Sequence, residues 1–261
     1  MSFRRIYTLI LGLQLCLLSY GQSYQKEIYK AYVDYEVNRW LKAAKYVENS
    51  NQNQTEKMLN LIHCYYGYTS SLMSLKQNDE AEKIIEKAEI LIDKILKTDP
   101  DNALALNYKG VFLGYEIGLN KMKALKYGTK STSYIDNALK LAPNNVQILF
   151  DKGNALYYPP KVFGGNKNEA LKYFQKAIGI IEKQKKTNEN WVYLQLLALE
   201  GRCYELNGNY TKAEHSYQKA LKAEPEFKFV KNTLYPRLRK IMSNASTNQK
   251  QDDSPENEIY R

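Results

Sequence analysis

Histidine and cysteine are scarce in this chain, two and three among 261 residues. His63 and His215 fall in different segments, and neither has a cysteine or carboxylate cluster around it at metal-ligand spacing, so no metal is expected. Cys16 lies in the leader-like first 21 residues, behind Leu15 where a lipidation signal needs a small residue. Cys64 and Cys203 sit inside apolar helical patterns and read as buried free thiols. A chain of this size needs no disulfide staple. Catalytic signatures are missing too: there is no Gly-x-Ser-x-Gly, no Gly-rich phosphate loop and no zinc-protease helix. Gly164-Gly165 alone is too little to cradle a phosphate. The chain is therefore read as a non-enzyme, with no catalytic residue, cofactor site or metal ligand.

Acidic residues are outnumbered, 28 against 38 basic, giving a net charge of +10. That surplus raises the question of nucleic acid. However, the lysines alternate with glutamates at helical spacing, as in Glu80, Lys83, Glu86 and Lys87, which marks solvated helix faces. No nucleic-acid partner is expected, only a mild attraction to acidic partners or membrane surfaces. Tyrosine is abundant, 23 residues against seven phenylalanines. Such side chains serve as packing with a wet edge, or as contact surface.

Arg4 and Arg5 followed by the apolar run from Ile6 to Leu18, with Ser19-Tyr20-Gly21 before Gln22, have the anatomy of a secretory signal peptide over residues 1–21. The run is short for a membrane span. An exported, periplasmic or cell-envelope-associated protein is expected, with membrane association only through this segment if it is uncleaved.

Residues 22–53 read as an N-terminal helix, Ser23 to Val47, and a polar loop. Spacings of three and four then mark helices with apolar faces. Met58 to Leu72 is followed by Ala81 to Leu96, stopped at Asp99-Pro100. Ala103 to Leu119 is followed by Ser131 to Leu141, with Gly128 and Lys130 in an irregular stretch between them. Val146 to Tyr157 pairs with Asn168 to Ile181, and Trp191 to Leu206 with Tyr210 to Ala223. Residues 226–242 read as a capping helix bent at Pro236, and residues 243–261 as a disordered tail.

A short pattern recurs in these pairs. Gly201-x2-Tyr204, Ala213-x3-Tyr217-x2-Ala220 and Pro225 form the clearest copy. Gly153-x2-Leu156 with Ala170-x3-Phe174-x2-Ala177 is the second, and Gly110-x2-Leu113 with Ser131-x3-Ile135-x2-Ala138 and Pro143 a worn third. Self-similarity at this period means stacked helix pairs. The pattern resembles the tetratricopeptide repeat over roughly residues 54–225. The resemblance implies an all-α solenoid of about four antiparallel helix pairs with an N-terminal helix and a C-terminal capping helix. The small residues let helices approach, the aromatic fills the gap and the proline ends the unit.

Two stretches depart from the repeat, Leu113 to Ser131 and Tyr157 to Asn166. The second is a specialised loop with Tyr158, Pro159, Pro160, Phe163, Gly164 and Gly165, in which Phe163 is expected to fold back onto the helices. It is similar to a loop in exported bacterial tetratricopeptide proteins, including extracytoplasmic partners of substrate-binding-protein-dependent transporters. The family's groove positions fall here on Asn107, Gln147, Phe150, Asn154, Tyr157, Gln195, Arg202 and Glu205. Phe150 stands where a lysine of the family's carboxylate clamp would be, so that clamp is not expected. The resemblance implies a protein- or peptide-binding scaffold of the cell envelope. The alternative is a carrier or transport accessory holding a small ligand in a closed, apolar-walled cavity.

Overall fold

The computed structural model of the protein describes the backbone of residues 24–252 and the side chains of residues 24–244. The segment read from the sequence as a signal peptide, residues 1–21, lies outside the described residues. The described chain is helical, without a strand. Helix α1 covers 24–33 and is followed by α2 (Asn38–Glu48), α3 (Gln54–Ser74), α4 (Asn78–Thr98) and α5 (Ala103–Leu119). Next come α6 (Ala124–Leu141), α7 (Val146–Tyr157), α8 (Lys167–Lys183), α9 (Trp191–Leu206) and α10 (Tyr210–Ala223). A π-helical turn, Val230–Leu234, leads into α11 (Tyr235–Asp252).

Asparagine sets most of the helix starts. Asn53, Asn102, Asn145, Asn166, Asn190 and Asn209 each accept a bond from the backbone N–H three residues on. This satisfies one of the donors that a helix start leaves unpaired. Helices α3 and α4, α5 and α6, α7 and α8, and α9 and α10 then pack as antiparallel pairs. Within the pairs a glycine admits the partner's side chain. A Cβ at Gly153 would stand 2.2 Å from the buried Phe174 ring, and one at Gly201 2.3 Å from Tyr217. Alanines 170, 177, 213 and 220 are wholly buried where successive helices meet. Cys64 and Cys203 are buried and unbonded.

Four sequence expectations change. The single helix predicted for Ser23 to Val47 is two, broken at 34–37, where Tyr35 takes the left-handed φ of 58°. The break lets the two pieces bury different faces: α2 packs on α3, with Trp40 against Gly67, while α1 turns inward. The irregular stretch predicted before Ser131 is mostly helix, since α6 already begins at Ala124. The extra residues of this unit lengthen a hairpin, and Gly128 lies inside α6 with nothing near its missing Cβ. At the bend expected at Pro236 the helical run is continuous from 228, and the π-turn Val230–Leu234 lies just before the proline, where the loosened ladder accommodates its missing N–H. Helix α11 also continues through residues 243–252, where a disordered tail was predicted. Extending an existing helix avoids the nucleation cost that an isolated polar segment would face. Residues 253–261 lie outside the described residues.

Candidate functional site

The first helices of the pairs, α3, α5, α7 and α9, form the inner face of the stack, and α1 lies across it. Its residue Ile28 is wholly buried. Tyr24 donates to Asn60 Oδ1 on α3 at 3.2 Å, Tyr29 to Glu224 Oε2 at 2.6 Å, and Tyr32 to Gln195 on α9. Lys228 donates to the Asp34 carbonyl at 3.0 Å. Glu27 accepts from Arg39 at 2.7 Å and Lys42 at 2.9 Å, which ties α1 to α2. The Tyr32 ring sits 5.3 Å from both Trp191 and Phe227, and Trp40 meets Trp191 edge-on at 5.7 Å. Aromatic side chains thus weld the first helices to the last repeat.

Under α1 the inner face carries a connected aromatic and polar cluster. His63, Tyr66, Tyr108, Tyr115, Phe150 and Trp191 contact one another ring to ring. His63 Nδ1 shares a 2.8 Å hydrogen bond with the Tyr108 hydroxyl. Surrounding protein pushes the His63 imidazole down to about 4, so it is neutral at pH 7. Buried at the cluster's polar centre is Asp151. It accepts from Asn107 at 2.6 Å, from Gln147 at 2.9 Å and from Tyr66 at 2.9 Å, with the Asn154 side chain close by. Burial pushes its carboxyl up to about 6, against these bonds, which favour the charged form.

The eight groove residues expected from the sequence therefore fall into two groups. Asn107, Gln147 and Asn154 meet at Asp151, with Phe150 beside them against Trp191. Gln195 is engaged by Tyr32 of α1. Tyr157, Arg202 and Glu205 form a separate group: Arg202 lies within electrostatic reach of Tyr157 and meets Glu205 at 3.0 Å, and Glu205 also takes Tyr217 and Arg237. None of these lines a long open trough, because α1 occupies that space. The acceptor oxygens of Asn107 and Asn154 lack a partner within the protein.

The specialised loop holds itself by its backbone. Gly165 and Phe163 donate to the Pro160 carbonyl at 3.1 and 2.9 Å, and Asn166 to Leu156 at 2.8 Å. Gly164 has φ +87°, and a Cβ on Gly165 would stand 1.9 Å from the Pro159 oxygen. Tyr158 rests edge-on against Tyr157 at 5.1 Å. Phe163 does not fold back: the one-turn helix Lys161–Phe163 points it outward, 74% exposed.

What remains of the inner face beside α1 is a cleft of about 730 Å³. Its walls are Tyr24, His63, Tyr108 and Trp191, and its polar groups the amides of Asn60, Asn145, Gln147 and Asn190. Lys26, Lys186 and Glu189 stand at its rim. Of these residues only Gln147 was singled out from the sequence. The others belong to helix positions that read as packing until α1 folds over them. Among the described residues no group of three or more His, Cys, Asp or Glu is placed to hold a metal ion.

Residues 195–227 match the family model of the tetratricopeptide repeat. No curated protein matches the chain in sequence. Among solved structures the chain is similar to the HusA haemophore from Porphyromonas gingivalis, with 18% identity, a TM-score of 0.57, and 70% of this chain and 92% of that one covered. It is also similar to TTC0263, a thermophilic tetratricopeptide protein in Thermus thermophilus, at 13% identity and a TM-score of 0.47, over 78% and 90% of the two chains. YrrB, described as a tetratricopeptide protein with an unusual peptide-binding site, follows at 20% identity and 0.37, over 76% and 88%.

Proposed function

We propose that this chain, whose residues 195–227 match the tetratricopeptide-repeat model, acts by binding, without catalysis, in the cell envelope, and that it holds a compact, flat, acidic ligand in the cleft beside α1. The observation that carries this reading is the position of α1. An extended peptide would lie where α1 lies, whereas the cleft stays open and its volume falls in the roughly 300–1,000 Å³ range of small-ligand sites. Tyr24, Tyr108 and Trp191 offer flat apolar walls, and the Asn145 side-chain N–H and the Gln147 side-chain oxygen, whose amides are held at their other ends by Ile148 N–H and Asp151, offer a fixed donor and acceptor. Lys26 and Lys186 give the rim a positive balance against Glu189. The fold shared with a haemophore makes an acidic tetrapyrrole the first probe to try. Location in the envelope rests on the segment from Arg4 to Gly21.

The test is titration of the protein with hemin, read by the Soret band and by quenching of tryptophan emission. Saturable binding is expected, weakened about tenfold in a Lys26→Glu, Lys186→Glu variant, because rim charges steer and hold an acidic ligand. Both lysines are exposed, so the variant keeps its fold. Failure of hemin and simpler aromatic carboxylates to saturate, or equal affinity in the variant, would rule the reading out.

A protein or peptide partner is the second reading. It is favoured by α1 itself, a helix seated on the inner face and joined to the rest through a left-handed residue at Tyr35. A partner helix would exchange with it. Pull-down from envelope extract with the whole chain and with one beginning at Asn38 separates the cases. Recovery of a protein by the shortened chain alone supports exchange, and identical recovery by both opposes it.

A further inference from the structure

The four turns that join the two helices of each pair lie along one edge of the stack. Gly118, near the end of α5, lies within 2.7 Å (measured from its missing Cβ) of Met73 at the end of α3. Tyr158 after α7 is within electrostatic reach of Tyr115 on α5. Asn207 after α9 donates to Asn168 at the start of α8 at 2.7 Å. This edge carries exposed apolar tips: Leu75, Met122, Leu125, Val162, Phe163 and Leu206. Leu125 is 99% exposed, and Met122 and Val162 are each 84% exposed. Single exposed apolar residues are ordinary, but a row of them along one edge is a contact surface.

Around Met122, Leu125, Val162 and Phe163 the charge is of one sign in the sequence. Residues 117–135 contain Lys121, Lys123, Lys126 and Lys130 and no Asp or Glu. Residues 152–168 contain Lys152, Lys161 and Lys167, again with no Asp or Glu. Lys123 and Lys152 are engaged by Glu116 and Asp136, which leaves the others facing solvent or an aromatic ring. Large apolar side chains on protruding turns, ringed by lysines, match the interface of an anionic bilayer, where side chains enter the acyl boundary and the ammonium groups stay among the headgroups. The lengthened α5–α6 hairpin and the specialised loop are the two places where the chain departs from its repeat. Both put their extra residues on this edge.

We propose that this edge docks the folded protein on an anionic phospholipid surface, with Met122, Leu125, Val162 and Phe163 inserted and Lys121, Lys126, Lys130 and Lys161 on the headgroups. The cleft opens among the starts of α5, α7 and α9, at the opposite ends of those helices, and so faces away from the lipid. The docking does not depend on the ligand reading.

The experiment is co-sedimentation with vesicles, using a chain that begins at Gln22 and so keeps every described residue without the leader-like segment. Vesicles of equal parts phosphatidylglycerol and phosphatidylcholine are compared with phosphatidylcholine alone. Binding to the anionic vesicles is expected, released by salt, and absent from the neutral ones. A Met122→Ser, Leu125→Ser, Val162→Ser, Phe163→Ser variant should bind about tenfold or more weakly, because the apolar contribution is removed. An Ile90→Ser, Leu141→Ser variant, altered at exposed apolar residues away from the edge, should bind like the parent. Circular dichroism of both variants checks that they fold. No binding to anionic vesicles, or equal binding by the four-serine variant, overturns the proposal. Self-association abolished by the four serines, in a parent that ignores vesicles, would assign the edge to a second copy instead.

Discussion

Asp151 and His63 sit in one cluster, and burial moves both away from their ordinary charge states in opposite senses for stability. Asp151 is raised from 3.8 to about 6, so its contribution is complete below about 4 and is lost as pH rises through about 6. His63 is lowered from 6.5 to about 4, so its contribution is complete above 6.5 and is lost as pH falls through about 4. Denaturant unfolding between pH 4 and 7 should show the difference between the parent and Asp151→Asn shifting against the parent by roughly 3 kcal/mol as pH rises. A flat difference would mean that the carboxyl is already charged at the acid end. At the same scale, Gly153→Ala should cost about 1–3 kcal/mol, because the buried Phe174 ring cannot retreat from a new Cβ. Gly128→Ala, inside α6 with open space around it, should stabilise by about 0.5–1 kcal/mol. Thermal melts read both. The glycine at 153 was legible from its spacing to Ala170 and Phe174. The role of Asp151 was not: a lone aspartate on a helix gives no sign that three other helix positions will close around it.

Helix α1 has the clearest conditional role among the elements. In the sequence Ile28 and Tyr32 fall on one apolar stripe with Tyr35, Trp40 and Ala43 of a longer helix, and only the break around the left-handed Tyr35 separates α1 from α2. A non-glycine residue in that conformation carries strain. Tyr35→Gly should therefore stabilise the fold by about 0.5–1 kcal/mol or leave it unchanged through the added chain entropy; a clear loss of stability would show that the Tyr35 ring itself packs usefully despite its exposure. Hydrogen exchange reads the same element directly. The α1 amides should exchange faster than those of α9, since α1 is a short helix at the start of the described residues whereas α9 is packed between α8 and α10.

A stack of repeats couples only neighbours, so its ends are ordinarily independent. Here Tyr29, Tyr32 and Asp34 reach Glu224, Gln195 and Lys228, which joins the first helices to the last repeat. The closed arrangement should unfold in one step. A chain beginning at Asn38 should unfold with a shallower denaturant dependence or in two steps, as repeat arrays do when long-range closure is lost. A single transition of unchanged slope in the shortened chain would show that nearest-neighbour contacts already carry the cooperativity.

The sequence by itself determined the helix pairs and their order, because spacings of three and four and the Gly–aromatic–Ala pattern are local and are read within one or two elements. It also marked Leu113 to Ser131 and Tyr157 to Asn166 as the places where the unit is lengthened. Only the tertiary structure decided what those lengths do, since helix and turn in the first and an outward Phe163 in the second depend on having no neighbour at the edge. It decided too that the inner face is covered by α1. Contacts such as Tyr29 with Glu224 span nearly the whole chain, and no local pattern carries information about them.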